Sequence, residues 1–230
     1  MTSPPLTTLH VWGVPGRAVP AALLRMAADR RPLRRTPGLR FAKLLGTGSG
    51  RTFTVRDADP RRWALVAVWD DDAAADAFEG SAVVRRWRRL AEEEFSARLR
   101  PLASRGRWSR QEPFGCPTPQ RWDGPVAAIT RARLVPRTAA RFWRAVPPVS
   151  ADLHAGSGLR LALGIGEAPI GLQGTFSVWA SAAALNDFAY GRAAHAAVVN
   201  RTAREGWYAE ELFARFAVLS AAGTIGGRSA

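Results

Sequence analysis

The sequence predicts an α+β fold made of two copies of one β-α-β-β-α-β unit. The first observation is that VWDDDAAADAF (68–78) and VWASAAALNDF (178–188) match at a constant offset of 110 residues. Trp69 then pairs with Trp179, and Phe78 with Phe188. The second is that LRFAKLLGTG (39–48), upstream of the first match, resembles LRLALGIG (159–166), upstream of the other. A repeat of this length indicates two equivalent structural units.

Each unit has the ferredoxin-like order of strands and helices. Two such sheets packed face to face bury both apolar faces in one core, which predicts an intramolecular dimeric α+β barrel. Residues 1–112 would form the first half and residues 122–230 the second half. The proline-containing stretch 113–121 would be the linker between them.

Alternating and β-branched segments predict the strands, and glycine or proline turns separate them. The predicted strands cover residues 6–13, 39–47, 62–70, 122–134, 158–166, 173–180 and 213–222. Apolar residues at helical spacing predict helices over residues 18–34, 71–99, 137–148 and 182–204. Acidic residues at the start of the helix over 71–99 suit the helix dipole.

The formal net charge of +14 suggests a nucleic-acid partner at first sight. All but one of the 33 basic residues are arginines, however, and they are spread along the chain; the exception is Lys43. This distribution favours a solvated basic surface and no nucleic acid, with attraction to anionic lipid headgroups as a third interpretation. No apolar stretch approaches the ~20 residues of a membrane span, and the first residues do not resemble a signal peptide. With a lone cysteine, Cys116, these features predict a cytoplasmic protein.

Few residues point to catalysis, because the chain has no GxSxG, no CxxC and no phosphate-binding glycine motif. Of the three histidines, His10 lies in an edge-like strand and His154 follows a double proline. His195 lies in the second long helix among alanines, and its counterpart in the repeat is Arg85. A single imidazole on a helix beside a cavity is one way to hold haem iron. The plainer interpretation is a histidine that makes hydrogen bonds at the helix surface.

The chain is rich in tryptophan, with nine residues of this type. They are consistent with an ordinary core or with a large apolar cavity for a flat or long ligand. Those in or beside predicted elements are Trp63, Trp69, Trp87, Trp143, Trp179 and Trp207.

Four segments together resemble one family: the spheroidene monooxygenases, which are acyclic carotenoid oxygenases. These segments are RRPLRRTPGLRFAKLLGTGSGRTFT (30–54), WDGPVAAITRARL (122–134), GIGEAPIGLQGTFSVW (164–179) and HAAVVNRTAREGWYAEELFARFAVLSAAGT (195–224). They cover both halves, and KLLGTG together with GIGEAP and FSVW is fairly specific as a set. The resemblance implies a haem protein that uses dioxygen and an electron donor to introduce a keto group into a linear carotenoid. It also implies the dimeric α+β barrel.

The resemblance makes His195, the only histidine within these segments, the expected axial ligand of haem iron. Cationic partners for the haem propionates, and aromatic residues beside the cofactor, are also expected. The candidates are Lys43, Arg85, Arg201 and Arg204 for the propionates, and Trp179 and Trp207 for the aromatic contacts. Glu167 and Gln173 flank the second glycine turn, where they would move protons near bound oxygen or simply make turn contacts.

Three other functions stay open, because the N-terminal HVWGVPGRAVPAALLRMA resembles the family only loosely. The protein could be a haem enzyme of this fold that acts on a different secondary metabolite. It could also be a non-catalytic haem-binding protein, or a cofactor-free monooxygenase with the same barrel. An apolar substrate would be consistent with peripheral membrane association. The substrate, the electron donor and the oligomeric state are not determined by the sequence.

Overall fold

The computed structural model describes residues 5–51, 55–118, 120–135, 137, 153, 156–168, 173–191 and 208–229. Eight antiparallel strands form a closed barrel in the order β1-β3-β2-β6-β7-β5-β8-β4. The strands are β1 (Leu6–Gly13), β2 (Leu39–Gly48), β3 (Ala58–Trp69), β4 (Glu93–Gly106), β5 (Val126–Leu134), β6 (Leu159–Gly166), β7 (Gly174–Trp179) and β8 (Tyr208–Gly223). The helices are α1 (Val19–Ala28), α2 (Arg30–Arg34), α3 (Asp72–Glu79), α4 (Ala82–Leu90) and α5 (Ala182–Gly191).

The α+β fold with two related halves is confirmed by the strand registers. Leu39 lies opposite Trp69 between β2 and β3, and Leu159 lies opposite Trp179 between β6 and β7. Both ladders contain a bulge directly after this first pair. Trp69 packs against Phe78 at 4.9 Å between ring centroids, and Trp179 packs against Phe188 at 5.2 Å. The aromatic pairs of the repeat therefore fasten α3 and α5 to their sheets in the same way.

The helix predicted over residues 71–99 is wrong in its last third. Asp71 and Ser81 cap two short helices, α3 and α4, and the strand β4 then begins at Glu93. Many residues in this stretch favour helices, and they obscure the strand pattern in which every second residue, beginning with Phe95, faces the core. The strand β4 continues to Gly106, beyond the end of the predicted helix.

The two halves join at both edges of their sheets, so one barrel replaces two separate stacked sheets. β4 pairs with β8 along most of its length, whereas β2 pairs with β6 only over Gly46–Gly48. β1 lies between β3 and β4, so the prediction that His10 lies in an edge-like strand is wrong. Three predicted features lie outside the described residues: the helix over 137–148 except its first residue, the continuation of α5 past Gly191, and His154.

Side chains from both halves fill the inside of the barrel. This interior core includes Leu9, Val66, Phe95, Ile129, Phe176 and Phe216, all almost fully buried. A second core lies on the outer face of the first half's sheet, where the helices α1 to α4 cover the strands. The corresponding core on the outer face of the second half's sheet is much smaller among the described residues.

Candidate active site

Four charged side chains meet at one end of the barrel, and we call them the barrel-end cluster: Lys43, Arg131, Glu167 and Glu210. Glu167 bridges two cations, with Lys43 Nζ 2.8 Å from Oε2 and Arg131 Nη2 2.6 Å from Oε1. Arg131 Nη1 also donates to Glu210 Oε1. Arg131 is 3% exposed, so its charge is held almost entirely by these carboxylates.

The strand pattern explains how charges reach the barrel interior. Lys43 lies two residues from both Phe41 and Leu45 on β2, so it faces the barrel interior as they do. Arg131 lies two residues after the interior residue Ile129 on β5 and faces the same way. Glu167 follows directly after β6, where the chain turns away from the barrel. Both cations therefore point towards the end of β6, where Glu167 supplies the carboxylate.

Further hydrogen bonds fix the two carboxylates. Trp108 Nε1 donates to Glu167 Oε1 at 2.8 Å. The main-chain amides of Ser109 and Arg110 donate to the two oxygens of Glu210 at 3.0 and 2.7 Å. Both of these turn residues have positive φ values, 54° and 65°. The turn thus presents its amides to Glu210 as an anion-binding concavity.

The carboxylates of the cluster are ionised at neutral pH. Burial alone would raise the pKa of Glu167, but its bonds to Lys43 and Trp108 and the charge of Arg131 hold that pKa below its usual value. Burial likewise opposes ionisation of Glu210, yet the amide of Arg110 and the guanidinium of Arg131 lower its pKa. Near pH 7 both groups can accept a proton and neither carries one to donate.

The structure brings together three of the residues predicted from the sequence: Lys43, Glu167 and Gln173. Gln173 Oε1 accepts a bond from Arg131 Nη2 at 3.4 Å. Sequence reasoning missed Arg131 and Glu210, although an arginine at an inward position of the alternating ITRARL segment was a usable signal.

The other predicted residues lie elsewhere. Arg85 lies on α4, where its guanidinium donates to the Gly80 carbonyl, and it makes no bond to the cluster among the described residues. Trp179 is fully buried, and its Nε1 donates to Ser177 Oγ at 3.0 Å. His195, Arg201, Arg204 and Trp207 lie outside the described residues.

Two pockets flank the barrel-end cluster and share Glu167 in their walls. The larger pocket, of about 410 Å³, lies between α2 and β2, and Lys43 lies in its wall. The other, of about 310 Å³, contains Arg131, Gln173 and Glu210. The cluster is therefore accessible from two sides, although most of its charge is buried.

The outer faces of the two sheets differ at equivalent positions. Across the first half, one row of neighbouring strand residues is His10, Leu65 and Leu44. The equivalent row across the second half is Thr130, Thr175 and Gly164. His10 and Leu65 are at most 1% exposed, whereas Thr130 is exposed.

In the next row of paired strand residues, the second half again has smaller side chains than the first. Trp12 lies opposite Trp63 in the first half, and the second half has Ala132 and Gln173 in these places. We call the surface formed by Thr130, Ala132, Gly164 and Thr175 the open face. On this surface Thr130 is exposed and Thr175 half-buried, whereas Ala132 is 7% exposed and Gly164 is buried next to the main chain of Gly50. Its side chains are small, where the first half has aromatic and aliphatic ones.

Among the described residues, no three or more histidine, cysteine, aspartate or glutamate side chains are grouped to hold a metal ion. A single axial ligand does not need such a group. No helix in the described part of the chain is long and apolar enough to span a membrane.

The fold places the chain in the class of dimeric α+β barrel proteins, here with both halves in one polypeptide. A crystal structure of aldoxime dehydratase superposes with a TM-score of 0.58 over 93% of this chain and 81% of that chain, at 14% identity. A second, an aldoxime dehydratase in complex with butyraldoxime, also has a TM-score of 0.58, at 11% identity over 93% of this chain and 79% of that chain. At such identities the likeness shows the fold alone.

Sequence relatives are more specific. The chain is 43% identical to the spheroidene monooxygenase of Rubrivivax gelatinosus, over 91% of this chain and 82% of the relative. It is 37% identical to that of Rhodobacter capsulatus, over 97% and 94%. A third, from Cereibacter sphaeroides, is 33% identical over 88% of this chain and 62% of the relative. No family model matches the chain. The chain belongs to the spheroidene monooxygenase family and is an oxidoreductase of the monooxygenase type.

Proposed function

We propose that this protein is a haem-dependent monooxygenase that introduces a keto group into a linear apolar substrate of the carotenoid type. The open face is the observation that supports this most directly. Among the described residues, the second half lacks the tryptophans and leucines that pack on the first half's sheet, and a difference of this kind between two copies is typical of a face that binds a ligand.

A haem group on this face would lie over Thr130 and Thr175, whose hydroxyl groups would reach its edge, and beside the small side chain of Ala132. Gly164 is buried next to Gly50 and would not contact the ring. His195 would be the axial ligand, and Arg201 and Arg204 would pair with the propionates, as the sequence predicts. Bound there, haem would supply the iron at which dioxygen is activated.

Gln173 would connect the open face to the barrel-end cluster. Its carbonyl accepts a bond from the Ala132 amide at 2.8 Å, so its main chain continues the open face. Its side chain contacts Arg131, which is bonded to Glu167. Monooxygenation takes up protons together with the electrons of the reductant, so Glu167 would relay protons from solvent, accepting each one before passing it on. Gln173 would hold Arg131 and Glu167 in place for this relay. Lys43 would hold the carboxylate in place.

The test is the substitution His195→Ala, with His10→Ala and His154→Ala as matched controls. Each protein is purified, given haemin and examined by absorption spectroscopy. The proposal expects a Soret band for the wild type and a sharp loss of that band for His195→Ala alone. A wild type that binds no haem but oxidises its substrate would instead be a cofactor-free monooxygenase.

Turnover separates the enzyme from a haem-binding protein. The haem-loaded wild type is given dioxygen, a reductant and an acyclic carotenoid in detergent, and products are identified by mass. A product with one added carbonyl oxygen is expected. Haem binding without product from any apolar substrate would favour the non-catalytic function.

A further inference from the structure

Helix α1 has apolar residues on two opposite sides. Ala22 and Met26 are buried against the first half's sheet. The outward side carries a second apolar stripe at the spacing i, i+3, i+4, i+7, i+8, and all of its members are exposed: Pro20, Leu23, Leu24, Ala27 and Ala28. Leu23 is 41% exposed and Leu24 68%, and they are the large apolar side chains exposed in the described part of the chain. A solvent-facing side of a helix is normally polar, so this stripe needs an explanation.

The stripe is surrounded by positive charge. Between residues 5 and 56 the sequence has ten basic residues and a single acidic one, Asp29. That carboxylate is fully buried and is neutralised by Arg86 at 2.8 Å and by Arg25 at 3.8 Å. The exposed arginines that follow the stripe are Arg30, Arg31, Arg34 and Arg35. None of these four forms a salt bridge within the described residues, so their charge is not cancelled locally.

We propose that the surface formed by α1 and α2, which we call the α1–α2 face, docks on an anionic phospholipid bilayer. Leu23 and Leu24 would enter the boundary between headgroups and acyl chains, and the arginines would contact the lipid phosphates. Charge complementarity selects this occupant. A second copy of the chain would bring arginines against arginines, and a nucleic acid would leave the leucines exposed to water.

This surface adjoins the larger pocket beside the barrel-end cluster. Arg30, Leu33 and Arg34 of α2 line that pocket together with Phe41 of β2. A docked bilayer would therefore lie close to an opening that leads to Lys43 and Glu167. The inference does not rest on the proposed haem chemistry, because it uses only residues of α1 and α2 and needs no cofactor.

The test is co-sedimentation of the full-length protein with vesicles of phosphatidylcholine alone or mixed with phosphatidylglycerol. We expect binding to the mixed vesicles that weakens as salt is added, and little binding to phosphatidylcholine alone. Leu23→Ser with Leu24→Ser should reduce the partition coefficient at least about tenfold, because two partly inserted side chains are removed. Both leucines are solvent-exposed, so the circular dichroism spectrum should not change.

Charge is tested with two pairs of substitutions that change the net charge equally. Arg31→Gln with Arg35→Gln should reduce binding roughly tenfold or more, since each arginine near the surface contributes about fivefold. Arg107→Gln with Arg121→Gln removes two exposed charges elsewhere, 63% and 89% exposed, and should change binding less than about twofold.

Three results would overturn the proposal. One is a wild type that does not sediment with anionic vesicles. Another is an equal loss of binding for both arginine pairs, which would mean that net charge alone acts. The third is light scattering that shows a dimer for the wild type and a monomer for the leucine variant, which would make the α1–α2 face an interface between two copies.

Discussion

The two halves of the barrel share one backbone plan but use the outer faces of their sheets differently. Where the first half has Trp12 and Leu65 under its helices, the second has Ala132 and Thr175. The shared positions, such as Trp69 and Trp179, keep each sheet attached to its helix. A duplicated fold thus retains the residues that hold the frame, and function is to be sought where the copies differ.

The two ends of the barrel give a second such comparison. Glu93 and Glu210 occupy equivalent positions in β4 and β8, and each accepts bonds from main-chain amides of a tight turn, at 227 and at 109–110 respectively. Burial opposes ionisation of Glu93, but the amides of Gly227 and Gly226 lower its pKa to about 2. At each end of the barrel, a turn is therefore attached to a strand by hydrogen bonds from its main-chain amides to a glutamate.

The side chains next to these two glutamates are not equivalent. Where one end has Lys43, Arg131 and Glu167, the matching positions at the other end hold the apolar or neutral residues Leu163, Val11 and Thr47. The other end has an ion network of its own, in which Arg62 bonds to Asp59 at 3.0 Å and to Glu93 at 3.2 Å. Its arginine is 24% exposed, whereas Arg131 is 3% exposed, so the two ends differ in how deeply the bridging cation is buried.

Filling the open face tests the first comparison and should have the largest effect. Thr175→Leu with Ala132→Trp would reproduce Leu65 and Trp12 of the first half. The added side chains would occupy the space proposed for haem, so its affinity should fall at least about a hundredfold. Haemin titration followed at the Soret band measures the loss, and the circular dichroism spectrum checks the fold. Undiminished affinity would place the cofactor elsewhere.

The reciprocal change in the first half should affect stability and leave the cofactor untouched. Leu65→Thr puts a hydroxyl and a small void into a fully buried position, which should lower the free energy of unfolding by about 3 kcal/mol. Urea denaturation measures this loss, and haem bound per folded molecule should equal that of the wild type. Reduced haem binding would show that the first half also contributes to the cofactor site.

One substitution in the barrel-end cluster replaces a charged residue with the apolar residue found at the equivalent position in the first half. Arg131→Val introduces the residue found at Val11 and leaves two carboxylates without their buried cation. The free energy of unfolding should fall by about 3 kcal/mol at pH 7. Arg98→Ala removes an arginine paired with two exposed carboxylates and should cost less than about 1 kcal/mol. Equal losses for the two variants would mean that burial does not distinguish these networks.

The sequence was sufficient to predict the repeated arrangement of strands and helices but not the barrel-end cluster. Constant spacing of Trp69 and Trp179 from their neighbours revealed the repeat, because these residues occupy identical places in both sheets. The strand β4 was missed because charged helix formers mask its alternation. Arg131 and Glu210 were missed as a pair because they are 79 positions apart, and only the pairing of β5 with β8 brings them together. His195 stays a prediction, since it lies outside the described residues.

The smallest expected effect concerns His10, whose counterpart Thr130 is exposed. The imidazole is 1% exposed and stacks on Trp12, with 5.4 Å between the ring centroids. Burial lowers its pKa below the usual 6.5, and the negative charges of Glu79 and Glu94 only partly oppose this. The ring is therefore neutral in the folded protein at pH 7.

This lowered pKa links stability to pH. As the pH falls through about 6.5, the unfolded chain binds a proton at His10 that the folded protein does not yet accept. The free energy of unfolding should therefore decrease with falling pH until the folded pKa is reached, and not beyond it. His10→Phe keeps a ring beside Trp12 but cannot titrate, so the decrease between pH 7 and pH 5.5 should be smaller in this variant. Urea denaturation across that range measures both proteins, and Glu93, with its pKa of about 2, does not interfere there. Equal slopes for the two proteins would mean that the folded protein protonates His10 as readily as the unfolded chain.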